Sequence, residues 1–141
     1  LVVKPVEAFR EKSAGKAFYH RPAPDGSRPG TYYSNLYKMS DMPLTEADAL
    51  FYHEGVPGHH FQIATTKYLA EQLSRFQRLM GGVSGYVEGW ALYAERLMAE
   101  LGYLDNPDYY LGMLRAQAMR SVRVVVRTCA SKGPFVVRKP T

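Results

Sequence analysis

The stretch FYHEGVPGHHFQ, residues 51–62, holds the side chains of this chain that are best suited to bind a metal ion. His53 is followed directly by Glu54, which is how the HExxH pattern of zinc sites begins. In that pattern the two histidines lie four residues apart on one helical face, with the glutamate beside the metal. Here Pro57 stands at the position of the second histidine. The stretch therefore predicts a metal site only if the helix is interrupted.

An uninterrupted helix would bring neither of the later histidines to His53. At 100° per residue, His59 would lie about 120° around the axis from His53, and His60 about 10.5 Å further along it. Pro57 and Gly58 supply the interruption, because proline removes a backbone donor and glycine tolerates unusual dihedral angles. A bulge that absorbs two residues brings His59 to the metal, and one that absorbs three brings His60. We predict His59 as the ligand, with His60 supporting the ligands or contacting the substrate.

Catalytic zinc commonly has three protein ligands, and two histidines with one glutamate are a frequent set. The segment VEGWALYAE places Glu88 and Glu95 seven residues apart and hence on one helical face. Both could instead be surface carboxylates that pair with arginines such as Arg96. Because glycines and aromatic residues surround Glu88, a solvated helix face is a poor description of its setting. We predict that Glu88 joins His53 and His59 to bind one Zn²⁺ ion.

These residue types suit hydrolysis by an activated water. Zinc acidifies a water molecule and polarises a carbonyl group, and Glu54 would take the proton as general base. A further donor must then stabilise the oxyanion. Tyr86 and Tyr93 are candidates for that donor, although the chain has eleven tyrosines and ordinary packing is their commoner role.

The elements that must position these residues are mostly helical. Residues 1–44 show no helical period and predict two short extended segments around a turn at residues 25–30. Thr45 and Asp48 fit a capping box that begins the helix carrying His53. Three further helices are predicted, over residues 60–80, over residues 86–102, and from the Asn106-Pro107 start to Val126. The predicted fold class is mainly α, with a small extended hairpin element at the N-terminus.

Length, composition and charge limit which fold classes and partners the chain can have. A chain of 141 residues with 46% apolar residues corresponds to one domain, and no apolar run is long enough to span a membrane. The single cysteine, Cys129, cannot form an internal disulfide. From Tyr109 onward there are seven Lys and Arg and no acidic residue. Without a recognised nucleic-acid motif, this basic end does not predict nucleic-acid binding.

Taken in order, the motifs resemble those of the bacterial proteins grouped as domain of unknown function 885. That family has a dGsrPG.yy.N segment, a HEg.PGHh.Q helix, an EGWaLYaE helix and an arginine-rich helix. The matching residues are 25–30 with Tyr33 and Asn35, residues 53–54 with 57–60 and Gln62, and residues 88–95. The resemblance extends over residues 1–126, which we divide into the extended segment 1–44 and a helical metal-site core, 45–126.

The resemblance carries expectations of its own. The family is similar to the thimet-type zinc metallopeptidases, which are helical and enclose a deep channel. This implies His53, His59 and Glu88 as ligands, Glu54 as base and a peptide as substrate. It also implies a bacterial parent protein, with a periplasmic or secreted location as the expectation. Residues expected beside the ligands or the peptide are His60, Glu95, Gln62, Tyr33, Asn35 and Arg120.

The sequence departs from the family after Val126. Where the family continues VVD.G.H, this chain has Arg127, Cys129 and Ser131 in place of the Asp, Gly and His. Residues 127–141 are therefore an off-pattern tail, and one hypothesis is that they derive from a shifted reading frame. Family members are several times longer, so we expect a C-terminal fragment whose parent supplies an N-terminal portion.

Two other functions stay open at this point. The chain could be a helical domain that binds metal but is catalytically incomplete. It could also be a helical binding module without metal, whose basic C-terminal end contacts a partner.

Overall fold

A computed structural model of the chain describes residues 1–79 and 82–131. The chain forms three short strands, β1 (Val2–Pro5), β2 (Ala17–His20) and β3 (Thr31–Ser34), and then five helices, α1 (Ala47–Glu54), α2 (His59–Tyr68), α3 (Arg75–Leu79), α4 (Ser84–Glu100) and α5 (Pro107–Ser131). Two 3-10 turns, Met39–Asp41 and Leu44–Glu46, connect the strands to α1. The predicted class, mainly α with a small N-terminal extended element, is confirmed.

The strands form one sheet in the order β1-β3-β2, with β1 parallel and β2 antiparallel to the central β3. The predicted pair of extended segments corresponds to β2 and β3, and β1 is a third strand that the sequence did not reveal. The turn between β2 and β3 is closed by the Asp25 carboxylate, which accepts hydrogen bonds from the N–H and hydroxyl of Ser27. Gly26 follows with a φ of 82°, a left-handed conformation that glycine adopts without strain.

Alternation along β3 gives its two tyrosines different neighbours. Tyr32 is buried and its ring packs edge-on against Phe51 of α1, with centroids 5.9 Å apart. Tyr33 instead stacks on Phe18 of β2 at 5.0 Å, and the guanidinium of Arg10 lies 5.1 Å from its ring centroid. Successive side chains of a strand point to opposite faces, so only the Tyr32 side of the sheet packs on the helices.

Helix α1 packs against both α4 and α5. A small apolar core is formed there by Ala49, Leu104 and Met113, each at most 3% exposed. Ala91 and Ala94 of α4 are completely buried, and their small side chains let α4 approach α1 closely. This close approach brings two glutamates of α4 to the histidine-bearing end of α1.

The predicted capping box at the start of α1 does not form. Residues Leu44–Glu46 form a 3-10 turn that runs directly into α1, and Glu46 precedes the helix with helical dihedral angles and no side-chain cap. The Glu46 carboxylate is used elsewhere: Lys16 contacts it at 2.6 Å and Arg115 at 3.8 Å. Thr45 therefore lies inside a turn and is not the residue that caps the helix.

The single helix predicted over residues 60–80 is also wrong, because α2 ends at Tyr68 and α3 begins at Arg75. The sequence does contain the signal for a new helix start. Ser74 N–H donates to Gln77 Oε1 at 2.9 Å, and Gln77 N–H donates to Ser74 Oγ at 3.2 Å. This reciprocal pair is a capping box, which begins α3.

The last two helices follow the prediction more closely. Helix α4 ends two residues before Gly102, which has a φ of 85°, and the Asn106 side chain accepts the Asp108 N–H at the start of α5. Helix α5 runs on to Ser131, so the first five residues of the off-pattern tail continue it. The rest of that tail, residues 132–141, lies outside the described residues. Within the described residues, no helix has the length and apolar character that crossing a membrane requires.

Gly112 tests the packing of α5 on the turn before α1. A Cβ at this position would lie 2.6 Å from the Thr45 carbonyl carbon, so we expect Gly112→Ala to lower the free energy of unfolding by about 1–3 kcal/mol. Gly89→Ala is the matched control on α4, where an added Cβ meets no atom within 4 Å and should raise that free energy by about 0.5–1 kcal/mol. Urea unfolding followed by circular dichroism measures both changes. Equal effects would contradict the close approach at Gly112.

Candidate metal centre

The interruption after Glu54 is a defined turn between α1 and α2. Gly58 N–H donates to the Tyr52 carbonyl at 3.0 Å, and the Trp90 indole N–H of α4 donates to the Pro57 carbonyl at 2.8 Å. A Cβ on Gly58 would lie 2.5 Å from the His53 carbonyl carbon, so only glycine permits this approach. The backbone folds back on the end of α1, and α2 begins at once with His59.

This turn brings His59, and not His60, beside His53. The two rings meet nearly at right angles, with centroids 4.7 Å apart, and both side chains are buried. Suitable ligand atoms of His53, Glu54 and His59 all lie within 4.8 Å of one another. The sequence favoured His59 over His60. In place of a two-residue bulge within one helix, however, α1 ends at Glu54 and a separate helix, α2, begins at His59.

Glu88 of α4 completes the group. Its Oε2 atom lies 3.5 Å from His53 Nε2 and 3.7 Å from His59 Nε2. In a tetrahedral zinc site, ligands at about 2.0–2.1 Å from the ion stand roughly 3.4 Å apart, so these separations fit. The Glu88 side chain is 56% exposed, whereas both histidines are buried. The cluster is therefore closed on the histidine side and open at Glu88.

The other ring nitrogen of His53 is bound by a buried carboxylate. Glu95, completely buried on α4, has its Oε1 2.7 Å from His53 Nδ1 and accepts a hydrogen bond from Arg120 of α5 at 2.6 Å. A carboxylate paired with arginine acts as an acceptor, so the His53 Nδ1 carries the proton and donates it. The Nε2 lone pair is then directed toward Glu88 and His59, as expected for a metal-binding imidazole.

Burial raises the pKa of Glu54 and lowers the pKa of His59. Burial raises the pKa of the Glu54 carboxyl, while the neighbouring His53 and a hydrogen bond from the Tyr19 main-chain N–H oppose that rise. A carboxylate whose pKa lies above the usual range is a better base near neutral pH. Burial also lowers the pKa of His59 below 6.5, and the adjacent His53 adds to this effect. His59 is therefore neutral at neutral pH, with a lone pair available for a metal.

Tyr19 is a residue of the site that the sequence analysis missed. Its hydroxyl lies 2.9 Å from His60 Nδ1, and Gly30 lies so close to both that an added Cβ would collide with them. The Tyr19 main chain also donates a hydrogen bond to the Glu54 carboxylate, which lowers the pKa of that carboxyl. Tyr19 thus connects β2 to both Glu54 and His60. One aromatic residue in a strand rich in them carries no sequence signal for such a role.

The other predicted site residues are placed as follows. Gln62 is buried, and its amide N–H donates to the Tyr86 carbonyl at 3.3 Å. Residue Tyr86 lines, with Glu88, a cavity of about 640 Å³. Tyr93 follows Glu88 by five residues, about 140° around α4, and its half-exposed ring contacts Trp90. By the same measure Tyr86 lies about 160° from Glu88, so only the cavity, which Tyr86 lines and Tyr93 does not, associates Tyr86 with the candidate site.

Tyr33 and Asn35 lie in the sheet region, where their side chains have structural partners. Tyr33 is part of the stack with Phe18 and Arg10, on the face away from α1. The buried Asn35 amide donates to the carbonyls of Glu11, Ala14 and Gly15, and its Oδ1 accepts the Tyr37 N–H. Among the described residues neither side chain contacts the histidine cluster, so Asn35 holds the 7–16 loop in place.

The family assignment rests on comparison with known proteins. The family described as "Bacterial protein of unknown function (DUF885)" matches residues 1–129. The chain belongs to this family. The match runs slightly beyond residue 126, where the resemblance was expected to end, and it includes Arg127 and Cys129. No curated protein matches the chain.

A solved structure resembles the chain across most of its length. The crystal structure of "the putative lipoprotein from Colwellia psychrerythraea" superposes with a TM-score of 0.84 at 42% sequence identity. The similarity covers 90% of this chain and 22% of that protein. The DUF885 chain described here therefore spans about a fifth of the length of the protein it resembles.

Glu95 provides the test of this arrangement. We expect Glu95→Ala to lower the free energy of unfolding by about 3–5 kcal/mol, because it leaves the buried His53 and the Arg120 guanidinium without their partner. Glu100→Ala on the same helix removes only an exposed pair with Arg96 and should change stability by less than about 0.5 kcal/mol. Chemical unfolding of both variants measures the difference, and a small effect at Glu95 would refute the buried linkage.

Proposed function

We propose that this chain carries the zinc site of a peptide hydrolase, with His53, His59 and Glu88 as metal ligands and Glu54 as general base. The observation that carries the proposal is the approach of Glu88 Oε2 to the Nε2 atoms of both histidines, at 3.5 and 3.7 Å. Two imidazoles and one carboxylate are the donor set typical of catalytic zinc. The half-exposed Glu88 leaves the side of the site that faces the cavity accessible to a substrate.

When bound, a zinc ion would supply Lewis acidity, which polarises a carbonyl group and acidifies a water molecule. Glu54 would accept a proton from the attacking water and later deliver it to the leaving amine. Its buried position and its hydrogen bond from Tyr19 hold the carboxylate beside the ligand atoms. The Glu95 carboxylate would keep His53 in the tautomer that presents Nε2.

Oxyanion stabilisation requires a donor on the open side of the site. Tyr86 is the favoured candidate because the residue lines the same cavity as Glu88. His60 is the second candidate, since Tyr19 holds its Nδ1 and leaves Nε2 for a substrate. Tyr93 is not favoured, because it does not line this cavity and its ring contacts Trp90.

The surroundings of the full-length protein also enter the proposal. The similar structure is about five times longer than the aligned part of this chain, so the remaining walls of a peptide channel would come from a longer protein. The lipoprotein description of that neighbour supports a location outside the cytoplasm. The substrate would be a peptide, bound in the cavity beside Glu88.

Metal content and turnover together test the proposal. We expect one zinc per chain by plasma mass spectrometry after dialysis, a clear loss of zinc in Glu88→Ala, and unchanged zinc in Glu100→Ala. Glu54→Gln should keep the metal but lower the rate of peptide hydrolysis by about 10²–10⁴-fold, because only the proton acceptor is removed. Mass spectrometry of a peptide mixture incubated with each protein measures the cleavage.

The outcomes separate the alternatives. Zinc at full occupancy without cleavage of any peptide would reject the hydrolase and support a metal-binding domain that is catalytically incomplete. Absence of zinc from the wild-type chain would reject the site itself. A salt-dependent association of that metal-free protein with an acidic partner would then support a binding module with a basic end.

A further inference from the structure

The cavity beside Glu88 has a positively charged wall. Its volume of about 640 Å³ is in the range of small-molecule and peptide sites. Its lining includes Glu88 and Tyr86 of α4, Arg21, which follows β2, and Arg78 of α3. A substrate positioned at Glu88 would therefore extend toward two guanidinium groups.

Neither arginine is neutralised within the described part of the chain. No carboxylate of residues 1–79 or 82–127 forms an ion pair with Arg21 or Arg78. The Arg78 Nε atom is buried and has no hydrogen-bond partner among these residues, and Arg21 donates only to the Leu79 carbonyl, at 2.9 Å. A buried donor without a partner costs free energy, and the cost is greatest for charged groups.

A second, smaller cavity is lined by the same two arginines. It has a volume of about 60 Å³ and is again lined by Arg21 and Arg78, with Lys67 of α2 as a third cation. Lys67 donates to the Ala23 carbonyl at 2.6 Å. The two arginines therefore line both cavities, and Lys67 adds a third cation at the smaller one.

We propose that Arg21 and Arg78 bind a carboxylate group of the substrate, so that the enzyme prefers peptides with an anionic group close to the scissile bond. Guanidinium groups bind carboxylates with two parallel hydrogen bonds, and such a pair would give the Arg78 Nε donor a partner. The carboxylate is either the C-terminal α-carboxylate or an Asp or Glu side chain. The inference rests on the proposed function for its scissile bond but concerns binding alone.

Equilibrium binding to the metal-free protein tests the inference without any turnover. The probes are acetyl-Gly-Gly-Phe with a free carboxylate, its C-terminal amide, and the amides of acetyl-Gly-Glu-Phe and acetyl-Gly-Gln-Phe, each titrated by calorimetry. We expect at least one acidic member of the two matched pairs to bind about tenfold more tightly than its neutral counterpart. Arg78→Gln and Arg21→Gln should each remove this difference, while Arg96→Gln, on the exposed face of α4, should leave it unchanged.

The pattern among the probes identifies the source of the carboxylate. A preference only in the first pair indicates a C-terminal carboxylate, and a preference only in the second indicates an acidic side chain. Equal affinity within both pairs, no measurable binding of any probe, or a preference that survives both arginine variants would overturn the inference. Unchanged circular dichroism of each variant shows that the loss is local. A carboxylate preference in a protein that never cleaves peptides would refute the proposed function and leave this site standing.

Discussion

The candidate site depends on the hydrogen bonds that the Glu95 carboxylate accepts from His53 and Arg120. This carboxylate is completely buried, and within the described residues its Oε1 atom contacts His53 of α1 and Arg120 of α5. A charge buried in this way is tolerated only if it is paired and hydrogen-bonded, so three helices must meet at one place. This meeting point sets the orientation of His53, and the rest of the ligand set is arranged around that ring. The small side chains of Ala91 and Ala94 make the approach sterically feasible.

A second constraint comes from the backbone between α1 and α2. An HExxH helix brings its two histidines together by helical periodicity alone, whereas here a turn replaces that periodicity. The turn is held from inside by Gly58 and from outside by the Trp90 indole of α4. Helix α4 thus contributes Glu88 to the cluster, supports His53 through Glu95 and fixes the turn that delivers His59. The EGWALYAE segment therefore contacts the HEGVPGHH segment through Glu88, Trp90 and Glu95.

Charge is distributed unevenly around this centre. Buried carboxylates lie beside the histidines, and two arginines that form no ion pair within the described residues line the same cavity as Glu88. Such a separation favours a ligand that is neutral or polarisable at one end and anionic at the other. The cations that line this cavity, Arg21 and Arg78, come from segments that precede the basic chain end.

Local pattern in the sequence was sufficient for the class of fold, for the β2–β3 turn and for the Asn106 start of α5, because each depends on residues close along the chain. It also named His53, Glu54, His59 and Glu88 as candidates, and their role as a metal site stays a prediction. It was not sufficient where a local signal competes with another one. The Ser74–Gln77 capping box begins a separate helix within what reads as one apolar helix, and the turn at Leu44–Glu46 displaced the expected cap at Thr45. Only the tertiary structure placed the His59 ring beside His53, brought Tyr19 to His60 and gathered the two arginines and Glu88 around one cavity, because these relations depend on how separate elements pack and not on spacing within any one of them.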